Sequence, residues 1–464
     1  MNINDLTYEP EYVYDKLTES QKKHMEKLCS DYRVFLDEGK TERECVNISV
    51  EAAEKAGFEP FDSKSELKPG DRVYIINRSK NILLAVIGNK PLTDGINLVG
   101  AHIDSPRLDL KQRPLYESCG MSLLKTHYYG GIKKYQWTTI PLALHGVMYT
   151  SSGDKVEIKI GEDEQDPVFC ITDLLPHLAK DQASKKLSDA IEGEALNILF
   201  GGFTIGKDDE KDRFKKNILA ILNKKYGVTE RDFLSAEIEA VPAYKAKNVG
   251  LDGAFIGGYG QDDRVCAYTA LQAICEITKP DKTAVCLLVD KEEIGSTGNT
   301  GMLSGFFRNA LASIAEKADG SCDYLKLCRI IEKSACLSSD VSSAVDPNYE
   351  QVNEKNNAAF AGNGMVLMKY TGARGKYDSS DASAEYIYKI GKILDENNVY
   401  WQTGELGKVD QGGGGTIAQY VANLNMDVID CGVPVLSMHA PFEVTAKTDI
   451  YMAYLSYKAF YTNN

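Results

Sequence analysis

Three nearly unbroken apolar runs constrain the fold of this chain more than any other feature of its sequence. They cover residues 96–101, 283–289 and 433–438. A strand with one face in water alternates apolar and polar side chains, so such runs are typical of strands buried on both faces, as in parallel sheets. Helical spacing of apolar residues marks other segments, at residues 17–36, 45–56, 265–277, 384–396 and 416–424. We therefore predict an α/β fold in which helices flank one mixed sheet.

The pattern of apolar, aromatic and charged residues changes in the middle of the chain. Aromatic residues cluster at 128–137, an alternating strand pattern occupies 155–160, and charged residues surround 207–216. We predict a mostly β domain at residues 113–248, inserted into a larger domain built from 1–112 and 249–464. The aromatic cluster favours contact with neighbouring subunits, because interfaces are rich in such side chains. Core packing of the insertion itself is the alternative.

Composition excludes several classes of function. The 464 residues include 67 acidic and 53 basic side chains, and the net charge of −14 disfavours binding to nucleic acid. No apolar stretch reaches the roughly 18–20 residues of a membrane helix, so no membrane association is expected. The N-terminus lacks the features of a signal peptide. Eleven scattered cysteines, with no C-x-x-C pair, suit a reducing compartment. We expect a cytoplasmic protein.

Polar side chains follow the apolar runs directly, where an open α/β sheet binds its ligands. We expect two histidines to end strands of the same sheet that also carries the carboxylates. Oxygen and nitrogen ligands of this kind suit zinc, manganese or cobalt, so the set predicts a hydrolytic site with two metals. The candidates are His102, Asp104, Asp262, Asp263, Glu292, Glu293, Asp340 and His439.

Spacing suggests a role for some of these side chains. Asp104 lies two residues after His102, so on an extended strand end it can accept the ring N–H of His102 and fix which nitrogen faces a metal. Glu292 and Glu293 are adjacent and point in different directions, so one can bind a metal while the other moves a proton. An isolated pair of glutamates is usually a solvated surface, and a lone histidine is usually structural. Their joint occurrence at strand ends favours a site.

Five motifs give the chain a resemblance to a known family. They are Gly-Ala-His-Ile-Asp-Ser-Pro-Arg from Gly100, Asp-Asp-Arg from Asp262, Glu-Glu-Ile-Gly-Ser from Glu292, Ser-Ser-Asp from Ser338 and Ser-Met-His-Ala from Ser437. In this order, the motifs resemble those of the aspartyl aminopeptidase and aminopeptidase I family of metallopeptidases. The resemblance covers nearly the whole chain.

The resemblance implies an assignment of the site residues. It implies two divalent ions, zinc in the first place with manganese or cobalt as alternatives, acting on peptides with a free N-terminus. It also implies a zinc-peptidase-like catalytic domain, an insertion that serves oligomerisation, and an assembly of up to twelve subunits. The implied roles are Asp262 as the bridging ligand, His102 and Asp340 on one metal, Glu293 and His439 on the other, Glu292 as the general base that activates water, and Asp104 beside His102 in the catalytic set.

One segment departs from the family pattern. After the metal-binding aspartate the family reads Asp-x-x-His-Ala-x-His-Pro-Asn, whereas this chain has Ser343 and Asp346 where the histidines stand. We therefore predict a preference for neutral or basic N-terminal residues. Two other functions remain open from the sequence: a related di-metal deacylase or carboxypeptidase, and an inactive member that serves as a structural shell.

Overall fold

The computed structural model describes residues 6–8, 10–372 and 374–463. Its helices are α1 (Glu19–Glu38), α2 (Glu42–Lys55), α3 (Lys180–Ala183), α4 (Leu187–Ala190), α5 (Arg213–Tyr226), α6 (Gln261–Glu276), α7 (Phe306–Asp319), α8 (Tyr324–Glu332), α9 (Ala384–Glu396), α10 (Ala418–Ala422) and α11 (Lys447–Thr462). Its strands are β1 (Glu59–Pro60), β2 (Arg72–Asn77), β3 (Asn81–Val86), β4 (Ile96–His102), β5 (Arg107–Ser118), β6 (Met121–Tyr129), β7 (Leu142–Tyr149), β8 (Lys155–Ile160), β9 (Asn197–Gly201), β10 (Glu237–Pro242), β11 (Lys247–Val249), β12 (Phe255–Gly258), β13 (Thr283–Val289), β14 (Ala335–Ser339), β15 (Ser342–Ser343), β16 (Met365–Met368), β17 (Trp401–Thr403), β18 (Asp427–Gly432), β19 (Pro434–Leu436) and β20 (Glu443–Ala446).

The chain divides into two compact units. The first comprises the residues up to Asp104, Ala246–Met438 and the chain from Phe442 onward, and the second comprises Ser105–Lys245 and His439–Pro441. The second unit begins before the predicted limit at residue 113, because β5 is one continuous strand that pairs with β6 and β10 of that unit.

A nine-stranded mixed sheet forms the centre of the first unit, in the order β1-β2-β3-β13-β4-β14-β18-β16-β17. The predicted strands at 96–101 and 283–289 are present as β4 and β13, and every residue of both is buried. β4 pairs in parallel with β13 and with β14, and β14 pairs in parallel with β18. The carboxyl ends of these four strands therefore meet at one edge.

Helices cover both faces of this sheet. Along β3, alternate side chains belong to two separate apolar clusters, since successive residues of a strand point to opposite faces. One cluster includes residues of α1, α2, α6, α9 and α11, and the other includes residues of α7, α8 and α10. Capping boxes at Thr18 and Thr41 begin α1 and α2. Among the described residues, none of the helices has the length and apolar character needed to cross a bilayer.

The third apolar run does not extend the large sheet. β19 belongs to a five-stranded sheet with the order β11-β12-β20-β19-β15. β18 ends at Gly432, where a Cβ would lie only 1.7 Å from the carbonyl oxygen of Asp340, and Pro434 then has no N–H to donate to the ladder. The expectation that both histidines end strands of one sheet is therefore wrong for His439.

The second unit is built on a six-stranded sheet with the order β8-β7-β10-β5-β6-β9. All of its neighbouring strands pair in antiparallel fashion. The alternating pattern at residues 155–160 forms the edge strand β8. α3, α4 and α5 also belong to this unit.

Candidate metal centre

The carboxyl edge of the nine-stranded sheet gathers the predicted polar residues of the first unit. His102 is the last residue of β4, and its register partner across the parallel ladder is Val289 at the end of β13. A single turn of 3₁₀ helix, Glu292–Ile294, follows β13. Asp340 directly follows β14. The parallel pairing of these strands explains why residues far apart in sequence lie together.

The His102 imidazole faces a group of carboxylates. Its Nε2 lies 3.2 Å from Asp262 Oδ1, 3.7 Å from Asp340 Oδ1 and 4.0 Å from Glu292 Oε2. The residue is buried, and this nitrogen makes no hydrogen bond within the described residues. Buried nitrogens are seldom left in that state, which is a reason to expect a ligand here.

Asp104 holds two parts of the site together. The Nδ1 atom of His102 lies 3.0 Å from the backbone carbonyl oxygen of Asp104 and 3.3 Å from its carboxylate Oδ1. The same carboxylate accepts the backbone N–H groups of Glu292 and Glu293, each at 3.2 Å. A donating Nδ1 leaves the lone pair on Nε2, the nitrogen that faces the carboxylates. Asp104 thus orients both the imidazole and the turn with the two glutamates.

Asp262 and Asp263 follow Gln261, the first residue of α6, with backbone angles that are not helical, and the peptide bond between them is cis. Asp262 donates its N–H to Glu443 Oε2 at 3.2 Å, and Asp263 Oδ2 accepts the N–H of His102 at 3.3 Å. Asp262 thus approaches the ring of His102, with Oδ1 3.2 Å from Nε2, whereas Asp263 accepts its backbone N–H.

Two groups of three side chains have ligand atoms that lie within 4.8 Å of one another. One group is His102, Asp262 and Glu293, and the other is His102, Asp263 and Asp340. The structure thus brings together every predicted ligand of the first unit, and it adds Asp263.

Negative charge is concentrated in this cluster. Burial raises the pKa of Glu292 to about 8, with contributions from Asp340 and Asp104 and against the effect of His102. Burial and the charge of Asp340 hold the pKa of Asp263 well above its usual range. Burial alone would lower the pKa of His102, but the neighbouring carboxylates of Asp104, Asp262 and Asp340 hold it well above its usual range. A bound cation would relieve this repulsion, so the residues fit a divalent metal in both charge and donor type.

Comparisons with known proteins identify the family. The family described as aminopeptidase I zinc metalloprotease (M18) matches residues 35–461. The chain belongs to the M18 family. It is 51% identical over 464 residues to the probable M18 family aminopeptidase 1 of Clostridium acetobutylicum, which covers 99% of this chain and 100% of the relative.

Solved structures agree with this membership. A crystal structure of an M18 aminopeptidase from Thermotoga maritima has a TM-score of 0.95 at 44% identity, covering 99% of this chain and 100% of that one. Aminopeptidase I from C. acetobutylicum has a TM-score of 0.92 at 48% identity, covering 98% and 100%. They confirm the predicted mixed α/β class. This M18 protein is a metal-dependent aminopeptidase, a hydrolase of peptide bonds, and its family indicates a divalent metal, zinc.

His439 of this M18 aminopeptidase lies in the second unit. Its Nδ1 is 2.8 Å from the carbonyl oxygen of Gly131, and its φ angle is 64°. A Cβ at position 131 would come within 3.3 Å of the same nitrogen, so glycine permits the close approach. If Nδ1 donates to this carbonyl, the lone pair lies on Nε2, the nitrogen suited to a metal.

The sequence missed one residue of the site region and gave no role to another. Asp263 was a candidate without an assigned role, and it accepts the backbone N–H of His102. Glu443 accepts the backbone N–H of Asp262, but it begins β20 and does not follow an apolar run, so a position after such a run does not indicate it. The distance of four residues from His439 was the available signal.

Proposed function

We propose that this M18 aminopeptidase uses two divalent ions bridged by Asp262, with His102 and Asp340 on one ion and Glu293 and His439 on the other. The observation that carries the proposal is the position of His102 Nε2, which faces the Asp262 and Asp340 carboxylates at 3.2 and 3.7 Å. Glu293 joins His102 and Asp262 in the second group of ligand atoms. The assignment of His439 rests on the family resemblance and on the contact of its Nδ1 with the Gly131 carbonyl oxygen, which favours a lone pair on Nε2.

Asp263 receives a different role in this proposal. Its carboxylate is fully buried and already accepts the N–H of His102. We assign it to holding the end of β4 in place. The bridging role goes to Asp262, whose carboxylate lies 3.2 Å from Nε2 of His102, closer than the 3.7 Å of Asp340.

Glu292 is the proposed general base. When bound, the divalent ions would polarise the peptide carbonyl and make a water more acidic. Glu292 would take the proton of that water and pass it to the leaving amine. Burial raises its pKa to about 8 without the metals, and two bound cations would lower it, which favours the ionised form that a general base needs near neutral pH. The N–H groups of Glu292 and Glu293 are held by Asp104, which keeps base and ligand in a fixed relation.

The substrate proposed for this site is a peptide with a free N-terminus. The decisive assay compares an unblocked peptide with its N-acetylated form, after metal removal and separate reloading with zinc, manganese or cobalt. Release of the first residue from the unblocked peptide alone, dependent on added metal, is expected. Cleavage of the acetylated peptide, or release of a C-terminal residue, would support the deacylase or carboxypeptidase function instead.

A homo-oligomer, up to a dodecamer, is also proposed, with the second unit as its interface. Large apolar side chains of this unit are exposed, among them Leu178, Leu187 and Phe203. A solved dodecamer of S. cerevisiae mApe1 has a TM-score of 0.75, although its 20% identity shows only a shared fold. Light scattering at micromolar protein tests this part: a mass near that of one chain, 51.2 kDa, would contradict it.

A further inference from the structure

The loop of residues 290–300 follows β13 and carries the proposed base, Glu292, and one proposed ligand, Glu293. A buried carboxylate closes this loop. Asp290 is 1% exposed, and its Oδ2 accepts hydrogen bonds from Thr300 Oγ1 at 2.6 Å and from Lys291 Nζ at 2.9 Å. The N–H of Asp290 also donates to the carbonyl oxygen of Thr300 at 3.3 Å. One side chain therefore ties the first residues of the loop to the residue that ends it.

The far end of this loop is fixed to the sheet. Asn81, the first residue of β3, donates from Nδ2 to the carbonyl oxygen of Thr300. Asn77, at the end of β2, donates from Nδ2 to the carbonyl oxygen of Asn299 at 2.9 Å. Thr300 thus bonds both to the sheet and to the Asp290 carboxylate. Neither its carbonyl oxygen nor its hydroxyl can move away without losing a hydrogen bond.

The inside of the loop is equally tight. Ser296 donates its N–H to the carbonyl oxygen of Lys291 at 2.7 Å, and a Cβ at Gly301 would lie 2.1 Å from the carbonyl oxygen of Ser296. Gly298, at a φ of 115°, leaves room for the Lys291 side chain, whose carbons lie 3.2 Å from where a Cβ would be. Glu292 and Glu293 belong to this loop, between Lys291 and Ser296, which the backbone hydrogen bond joins.

We infer that Asp290, Thr300 and Lys291 form a clamp that positions Glu292 and Glu293 for the reaction. A buried carboxylate is costly unless it is partnered. The side chains of Lys291 and Thr300, both in the loop, partner Asp290, and the hydrogen bond from Thr300 forms only while the loop is closed. Asp104 holds the same turn from the side of the metal centre. Asp290, Thr300 and Lys291 would act on the reaction through Glu292 and Glu293, so we call them positioning residues.

The inference rests on the proposed function, because it concerns the placement of the proposed base. Thr300→Val keeps the shape of the side chain and removes the hydroxyl. Loss of the clamp should lower kcat by about 10- to 100-fold, since small misplacements of a reacting group have effects of that size. KM and the metal content should stay unchanged. Thr300→Ser restores the hydroxyl and should return kcat to within about twofold of wild type.

A matched control lies at the other end of β13. Thr283 is buried, and its hydroxyl accepts the N–H of Gly88, so Thr283→Val removes a comparable hydrogen bond far from the loop. It should lower the melting temperature by a similar amount and leave kcat unchanged. If Thr300→Val and Thr283→Val have the same kcat, or if Thr300→Ser fails to restore turnover, the clamp is wrong.

Two more variants complete the test. Lys291→Met removes a partner whose side chain is 24% exposed, and it should lower kcat by roughly 3- to 10-fold even if Thr300→Val folds poorly. A wild-type kcat in Lys291→Met and in a folded Thr300→Val would overturn the inference. Glu292→Gln, assayed beside them, distinguishes failure of the clamp from failure of the proposed function. If Glu292→Gln is inactive while the clamp variants have normal kcat, only the clamp is wrong. If Glu292→Gln keeps full activity, the proposed function is wrong.

Discussion

Two clusters of buried charged groups, one in each compact unit of the chain, are balanced in opposite ways. In the second unit, the buried His145 bonds to Glu162 at 3.0 Å, and Lys245 lies 3.2 Å from the other oxygen of the same carboxylate. One anion there faces two basic groups. In the first unit, one imidazole, His102, faces carboxylates on several sides. A cluster whose acidic and basic side chains pair with one another can have a purely structural role. A cluster with an excess of buried carboxylates needs an added cation to offset the cost of burying them.

Strand direction explains where the unbalanced cluster lies. Parallel strands bring their carboxyl ends to one edge, so His102, Glu292 and Asp340 converge although they are far apart in sequence. The antiparallel sheet of the second unit sends successive strand ends to opposite edges. The exposed apolar side chains of the second unit, among them Leu178 and Phe203, form the surface that we propose for contact with other subunits.

The largest effect is expected from changing one carboxylate in each unit. Glu292→Gln should lower kcat by roughly 10²–10⁴-fold with two metals per subunit retained, because only the proton carrier is lost. Glu162→Gln should lower the melting temperature but leave kcat and metal content unchanged. Steady-state kinetics and elemental analysis check both. Metal loss in Glu292→Gln would exchange the roles of Glu292 and Glu293, and a comparable fall in kcat for Glu162→Gln would break the contrast between the units.

Metal binding gives the next largest effect. Asp262→Asn should weaken the binding of both ions, by more than about 100-fold, since it removes charge from a ligand shared by two sites. His102→Ala and His439→Ala should each affect mainly one ion, and Asp263→Asn should retain both. Metal content after dialysis against a chelator series distinguishes these variants. Retention of both ions at wild-type affinity in Asp262→Asn would exclude the bridging role.

The sequence predicted the first unit well where one physical rule dominated. β4 and β13 are buried on both faces, so their apolar runs had no other strong explanation, and the predicted bounds are close to the observed ones. The polar residues that follow them lie at the same edge because parallel pairing requires it. α9 spans Ala384–Glu396, as its helical spacing predicted.

The rest depended on contacts that no local pattern records. The run at 433–438 is apolar, but the close approach of Gly432 to Asp340 and the missing N–H of Pro434 end one strand and begin another in a different sheet. Glu443 and Asp290 act through backbone N–H groups and hydroxyls of distant residues. Such roles follow from tertiary geometry, and neither residue type nor spacing reveals them.

Assembly provides a third test of the contrast between the units. Phe203 lies in the second unit and is 85% exposed. Phe203→Asp should weaken subunit association by roughly 10- to 100-fold, because it replaces an apolar side chain at the proposed interface with a charge. Tyr388→Asp on α9 of the first unit, at 72% exposure, is the matched control and should leave the mass unchanged. Light scattering over a concentration series measures both. Equal behaviour of the two variants would remove the special role of the second unit.

The smallest expected effect concerns the substrate, and it follows from the same excess of negative charge in the first unit. Ser343 lies in β15, three residues after Asp340. Asp346 lies in the turn that follows, where its Oδ1 accepts the N–H of Asn348 at 2.8 Å. Lys369, a nearby cation in sequence, pairs with Asp381 at 2.7 Å. An acidic N-terminal side chain would thus add an anion where the chain offers no histidine as a partner.

We therefore expect neutral or basic N-terminal residues to be cleaved with kcat/KM up to about tenfold higher than Asp or Glu, a difference of about 1.4 kcal/mol in transition-state binding. Leu-, Lys-, Asp- and Glu-anilides, compared at fixed metal and pH, measure the ratio. Asp346→His should shift it toward the acidic substrates, and Asp346→Asn should shift it less, because it removes a charge without adding a cation. A tenfold advantage for Asp or Glu in the wild-type enzyme would mean that cations elsewhere in the chain receive the substrate carboxylate, and that the negative charge at this edge is fully neutralised once the metals are bound.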